Sequence, residues 1–276
     1  AHELQLHNFD AVLDFQGLLR SALLSFFAGR HGRRIGFANA REGATYFYNE
    51  RVLLPANIQH AVERNLFLVR SAFEITADLP PVQLVTPAHI VTDAAKLLQA
   101  ADIGSDNLLI AVAPAARWLT KQWSAAKFAA VLDRVAAELP QARFWICGAD
   151  HEQAIGNAVV DACRTAVVLN FMGQTNLALM AELLRQSQVL ISNDSGPMHL
   201  AAVAGTAVVA IFGPTDPTLT GPFAVAHNVF RGKCAQAPCL RRNCPAAPEQ
   251  CFVGISVEQV AAAVVKQVRA APAVAV

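Results

Sequence analysis

A chain of 276 residues, 54% hydrophobic and 16% charged, is long enough to build two domains, each with its own core. A net charge of +1 excludes the broad basic field of a protein that coats nucleic acid. No run of about 20 uncharged apolar residues exists to span a bilayer. The richest N-terminal apolar stretch, 18–27, is short and carries Arg20. No secretory signal is read in the first residues, and a start on Ala1 rather than Met reads as a truncated or processed chain.

Residues 9–15 read as a strand, followed by Gln16-Gly17 and a helix through about residue 28. Residues 33–37 read as a second strand. Arg30, His31, Arg33, Arg34 and Arg41 occur with no acid between Arg30 and Arg41. This run suits an anionic partner, although a solvated basic turn has the same composition. A polar segment, 39–43, leads to the aromatic-rich Tyr46-Phe-Tyr48. Helical periodicity covers 60–73, with Ala61, Asn65, Leu68 and Ala72 near one face. Pro80-Pro81 and Pro87 mark an extended connector before a helix at 90–101. The turn residues of 102–107 predict a domain boundary there, dividing the chain into 1–104 and 105–276.

From residue 108 the pattern is regular. Strands at 108–113, 143–147, 167–169, 189–192 and 207–212 alternate with helices at 124–138, to about 163, to 186 and to 204. This alternation predicts a doubly wound parallel α/β sheet. Asn193 and Asp194 end the fourth of these strands. Ser195 is placed to cap the next helix, Pro197 suits its first turn, and Gly205 ends it. His199, Ala202 and Val203 recur at helical spacing. A last amphipathic helix, 257–268, is free to pack back on the first domain. Cys147 lies in an apolar strand and reads as core. Cys234, Cys239, Cys244 and Cys251 form a separate cluster without tight CxxC pairs, compatible with free thiols, a disulfide or a structural metal.

In such a sheet, ligands bind outside the carboxyl ends of the strands, where helix N-termini favour anions. The Asp194-Ser195-Gly196 turn sits at such a place, and a phosphorylated ligand is the natural occupant. The competing interpretation is a plain βαβ crossover with a capped helix. Lys121, in the loop 114–123, can reach a phosphate there or be a surface lysine. In Gly148-Ala-Asp-His-Glu152, one carboxylate can accept from ribose hydroxyls, and Asp150 can instead cap the helix. Asp194 can bind sugar hydroxyls or orient His199, which otherwise packs in the core. Gly213-Pro-Thr-Asp-Pro217 is a substrate-facing loop or a rigid turn.

The segments Asn193-Asp-Ser-Gly-Pro-Met-His-Leu-Ala-Ala, Phe212-Gly-Pro-Thr-Asp-Pro217, Arg117-Trp-Leu-Thr-Lys-Gln-Trp123 and Gly148-Ala-Asp-His-Glu152 together resemble the lipopolysaccharide heptosyltransferases of glycosyltransferase family nine. In the N-terminal part, 8–22, Ala40-Arg-Glu42 with Phe47-Tyr-Asn49, and Gln59-His-Ala-Val-Glu-Arg64 look most like the heptosyltransferase I branch. The resemblance covers nearly the whole chain. It implies two Rossmann-like domains of the GT-B type, the N-terminal one incomplete. It implies an inverting glycosyltransferase without metal or cofactor, moving heptose from ADP-L-glycero-D-manno-heptose to the Kdo of Kdo–lipid A. The implied location is the cytoplasmic face of the inner membrane, with peripheral attachment and no nucleic-acid partner. On the donor side it implies Lys121 at phosphate, Glu152 at the ribose, Thr175 beside the nucleotide, Asp194 at the heptose, the backbone of Ser195 and Gly196 at the pyrophosphate, and His199 nearby. On the acceptor side it implies Arg41, with Arg20 close by.

This sequence departs from the family at three points. The family's opening strand and Gly-Asp loop, which carries the expected general base, has no counterpart here. The base is therefore expected upstream of residue 1, and Asp14 and Glu42 match no base position. Ala115 and Ala116 stand where relatives often carry hydroxyl residues, and the cysteine-rich stretch is an insert of some relatives only. Heptosyltransferase II, another family-nine transferase and a catalytically silent nucleotide-sugar-binding protein are the alternatives. A dinucleotide oxidoreductase is disfavoured, since no G-x-G-x-x-G follows a strand.

Overall fold

The computed structural model describes residues 7–77, 82, 84–245 and 247–271. The chain divides into two compact units, Ala1–Pro80 with Thr218–Thr220, and Pro81–Pro217 with Gly221–Val276.

Among its described residues the first unit holds three parallel strands in spatial order, β1 (Ala11–Asp14), β2 (Arg33–Phe37) and β3 (Glu50–Val52). Helices α1 (Leu19–Ala28) and α2 (Ala61–Phe73) complete it. Alternation along β2 separates its two faces. Ile35 and Phe37 pack with Leu68 and Ala72 of α2. Gly36 faces the other way, and a Cβ there would lie 2.4 Å from the Tyr48 ring, which packs with Ala22 of α1 and Ala44. Strand β3 gives no sequence signal of its own: Glu50-Arg51-Val52 is short and charged, and pairing with β2 makes it a strand.

The basic run does not form one patch. The Arg33 guanidinium donates to both carboxylate oxygens of Glu50, at 2.7 and 2.8 Å, and to the Ala72 carbonyl. Arg34 donates to the carbonyls of Phe47 and Gly29. Both arginines tie the unit together. Arg30 and His31 precede β2 while Arg41 follows it, so a five-residue strand, roughly 17 Å long, puts them at opposite edges of the sheet.

The second unit is a six-stranded parallel sheet in the order β6-β5-β4-β7-β8-β9. Its strands are β4 (Leu108–Ala113), β5 (Ala142–Ile146), β6 (Val168–Asn170), β7 (Val189–Asn193), β8 (Ala207–Phe212) and β9 (His227–Arg231). Helices α4 (Ala125–Glu138) and α8 (Val257–Ala270) cover one face, around Phe128, Leu132, Phe144, Val260 and Val264. The other face is covered by α3 (Ala88–Ala100), α6 (Leu177–Arg185) and α7 (Gly196–Ala204). Helix α5 (Gln153–Ala162) follows β5.

Two boundary expectations change. The buried Ala94 and Leu98 of α3 pack with Leu109, Ala111 and Trp145, so α3 belongs with the second unit and the division precedes residue 104. Helix α8 likewise spends its apolar stripe on the core of the second unit. Strand β7 runs one residue further than expected, through Asn193. On α7 the buried residues are Met198 and Ala201, and His199 is exposed.

Asp133 of α4 accepts backbone N–H bonds from Arg164, Thr165 and Ala166, fixing the turn that leads into β6. Burial works to raise its carboxyl pKa, but these donors outweigh burial and hold it below the usual range. A depressed folded pKa stabilises above the unfolded value and loses that effect as pH falls through the folded one. Asp133→Asn is therefore expected to cost about 1 kcal/mol at neutral pH. The gap from wild type in urea unfolding should close below about pH 3.9, the unfolded carboxyl value.

Candidate functional site

In the second unit the chain steps outward from β4 to β6 on one side and from β7 to β9 on the other, so strand order reverses between β4 and β7. Ligands of such sheets sit in the crevice outside the carboxyl ends at this reversal. Ala113 and Ser192 are register partners there, and the loops after them carry Lys121 and Asp194.

Asn193, fully buried, fastens the two loops. Its side-chain amide donates to the Pro114 carbonyl at 2.7 Å, and its oxygen accepts the Trp123 N–H at 3.2 Å. A 3-10 turn, Leu119–Lys121, then presents Lys121. Its ammonium lies 2.6 Å from Asp194 Oδ2, which also accepts the Thr215 hydroxyl at 2.6 Å. Asp194 is only 6% exposed. Both contacts fall on Oδ2, leaving Oδ1 without a partner among the described residues.

Ser195 is the N-cap residue of α7, but its side chain caps no N–H; its hydroxyl lies 3.4 Å from that of Ser192. A Cβ on Gly196 would meet nothing within 4 Å, so the space before the helix is open. Pro197 has no N–H and the Met198 N–H donates to the Ser195 carbonyl at 3.2 Å, so the Gly196 N–H is the first-turn donor left without a partner among the described residues, at the partly positive end of α7. Gly213, after β8, is required sterically: a Cβ there would sit 2.8 Å from the Thr120 carbonyl and 3.1 Å from the Cys251 Cβ.

The flanking strand ends supply the remaining donor-side residues. Glu152 closes its own turn, accepting the Ala149 N–H on Oε2 at 2.8 Å, and Oε1 takes no part in that bond. The capping role considered for Asp150 thus falls to Glu152. Asp150 accepts from the Gln153 amide instead. The Thr175 hydroxyl is buried and has no partner among the described residues, as expected of a group that meets a ligand or water. His199 lies on the exposed side of α7, so the core-histidine interpretation does not hold. Cys147 is buried, and burial pushes its thiol up to about 12, as expected of a core residue. All six cysteines are free thiols. Among the described residues no three His, Cys, Asp or Glu side chains are grouped to hold a metal.

In the first unit, Arg20 in the first turn of α1 and Arg41 in the loop after β2 are both exposed, at the carboxyl edge of its sheet. The Arg41 N–H donates to the Gly17 carbonyl at 2.9 Å. Asp14 organises this edge: Oδ1 accepts the Gln16 and Gly17 N–H groups, and Oδ2 accepts the Ser21 and Tyr48 hydroxyls. Burial, with the Asp14 carboxylate beside it, raises the Tyr48 hydroxyl pKa well above its ordinary value. A carboxylate with four donors is a structural hub and has no free lone pair for a substrate proton.

Asn193, Thr215 and Asp14 are the site residues that sequence reasoning missed. A signal existed for the first: an asparagine ending an otherwise apolar buried strand needs several partners.

Three features together define a class: a reversed parallel sheet, a pair of half-buried Lys121 and buried Asp194 at the reversal, and an uncapped helix N-terminus beside it. It is the doubly wound parallel α/β domain, with its candidate site at the strand-order reversal. The description "Glycosyltransferase family 9 (heptosyltransferase)" matches residues 1–249, and the chain belongs to that family. It is 29% identical over 245 residues to lipopolysaccharide heptosyltransferase 1 of Pseudomonas aeruginosa, covering 88% of this chain and 65% of that protein. It is 28% identical over 238 residues to lipopolysaccharide heptosyltransferase 2 of Salmonella typhimurium, covering 83% and 67%. The chain thus spans about two thirds of these relatives. Among solved structures, the glycosyl transferase family 9 protein of Veillonella parvula matches with a TM-score of 0.78 at 19% identity, covering 96% of this chain and 75% of that one. The E. coli heptosyltransferase WaaC with ADP-2-deoxy-2-fluoro heptose matches with a TM-score of 0.62 at 27% identity, covering 84% and 68%.

Proposed function

We propose that this protein transfers L-glycero-D-manno-heptose from ADP-heptose to the Kdo of Kdo–lipid A. The observation that carries the reading is the Lys121–Asp194 pair at the β4/β7 reversal. It puts one cation and one sugar-hydroxyl acceptor at the mouth of an uncapped helix. A relative of known structure holds an ADP-heptose analogue, which supports the donor.

In the proposed donor pose, the diphosphate lies across the α7 N-terminus with Ser195 and Gly196 N–H groups and Lys121 facing it. Glu152 Oε1 takes the ribose hydroxyls, Thr175 contacts the nucleotide and His199 borders the sugar. Asp194 Oδ1 accepts from the heptose. An acceptor hydroxyl attacks the anomeric carbon as the bond to the β-phosphate oxygen breaks, and its proton passes to a general base. ADP departs with added negative charge, which Lys121 and the helix terminus stabilise without reorganising. Arg41 and Arg20 serve the acidic acceptor, and Asp14 holds the β1–α1 loop, which leads into Arg20 and accepts the Arg41 N–H at Gly17. The acceptor is a lipid, which makes a membrane surface the working location. No helix among the described residues is long and apolar enough to cross one.

Calorimetric titration with ADP-heptose, ADP, UDP-glucose and NAD tests the donor, with ADP-heptose expected to bind tightest. Preference for UDP-glucose or NAD would overturn the reading. In the full-length protein, ADP release with Kdo–lipid A and with its heptosylated form separates the first-heptose from the second-heptose enzyme. Binding of ADP-heptose without release on either acceptor would indicate a silent sugar-nucleotide binder.

A further inference from the structure

We propose that Arg242, on the cysteine-bearing loop after β9, is a second phosphate-binding cation of the donor site. This rests on the reading that the site at Lys121 holds a diphosphate.

The loop is fastened to both strand-end loops that build the site. The Thr120 hydroxyl, 1% exposed and next to Lys121, donates to the Arg241 carbonyl at 2.7 Å. On the other side, the N–H groups of Cys239 and Leu240 both donate to the Pro214 carbonyl, at 3.0 and 3.1 Å. Pro214 adjoins Thr215, the residue bonded to Asp194. The stretch 239–242 therefore bridges the loop after β4 and the loop after β8, and its backbone position is fixed relative to Lys121.

That bridge brings a second positive charge to the same place. The Arg242 guanidinium carbon lies over the Trp118 indole, 5.4 Å from the ring centroid. The Lys121 ammonium lies 4.7 Å from the same centroid. The two cations are thus no further apart than these two distances laid end to end. The electron-rich ring of one indole attracts both. Asp194 neutralises only Lys121. Arg242 is exposed, and no carboxylate among the described residues pairs with it. The site therefore carries an uncompensated positive charge beside the α7 N-terminus. A diphosphate, with two adjacent anionic centres, can use both cations, and a guanidinium can bind phosphate oxygens in a bidentate way.

The test compares wild type, R242A, R242K and K121A by calorimetry with ADP, adenosine and inorganic pyrophosphate. Equal melting temperatures in the absence of ligand serve as the fold control. R242A is expected to weaken ADP and pyrophosphate about 5–30-fold, less than a fully desolvated charge-assisted hydrogen bond because Arg242 is exposed, and to leave adenosine unchanged. R242K should recover part of the loss, and the salt dependence of ADP binding should become shallower in R242A. Unchanged ADP affinity in R242A, with K121A still impaired, would overturn the proposal and leave the donor reading standing. Equal weakening of adenosine and ADP in R242A would show a packing role and overturn it too. No ADP-selective loss in either variant would sink both.

Discussion

Lys121→Ala is expected to weaken ADP and ADP-heptose binding by about 10–150-fold, the range of one lost charge-assisted hydrogen bond at about 1.5–3 kcal/mol. Adenosine should change by no more than about 2-fold, since it brings no phosphate to the lost charge. The structure adds a reason for a value at the high end. Lys121 pairs with Asp194, a carboxylate almost shut off from water. Without the ammonium, an arriving diphosphate meets that carboxylate unscreened, and like charges at short range in a desolvated site repel strongly. Lys121→Arg should recover part of the loss, because it restores charge but not the compact reach of an ammonium. Titration of the three variants with the three ligands decides the matter. Parallel losses for adenosine and ADP would mean that Lys121 shapes the loop and does not touch phosphate.

Asp194→Ala should act in the opposite sense on the two halves of the donor. With its partner gone, Lys121 is free to turn fully to phosphate, so ADP should bind as well as before or somewhat more tightly. ADP-heptose should lose its advantage over ADP, by about 1.5–3 kcal/mol if the carboxylate accepts from heptose hydroxyls. Asp194→Asn keeps an oxygen for the Thr215 hydroxyl and separates this effect from loss of the loop's own hydrogen bond. The quantity to measure is the ratio of the two dissociation constants in variants whose melting temperatures match wild type. A ratio that stays at the wild-type value would remove Asp194 from the sugar.

Much of this architecture is legible one residue at a time. The apolar strand Phe144-Trp145-Ile146 faces both ways: Phe144 lies in one core cluster and Trp145 in the other. Such a strand has to be covered on two sides, so its sequence implies helices on both faces of a parallel sheet. Pro197 and Gly205 mark the ends of α7 because their backbone preferences are local, and the structure puts Gly205 at a φ of 83°. The expectation that Asp194, Ser195 and Gly196 lie at a strand's carboxyl end also needs only the alternation of strands and helices.

What the sequence could not specify depends on partners distant along the chain. Arg33, Arg34 and Arg41 read as one basic run, yet Glu50, Ala72 and Phe47 claim the first two. A five-residue strand carries the third to the opposite edge. Strand β3 exists only because β2 offers it an edge, and α3 joins the second unit because Leu109 and Trp145 supply a surface for Ala94 and Leu98. The pairing of Lys121 with Asp194 spans 73 positions and is set by the placing of β7 beside β4. Local preference fixes where an element starts and stops, because it depends on a residue's own backbone and near neighbours. Which charges are neutralised, and which stand ready for a ligand, is decided only when strand order brings separate loops to one edge.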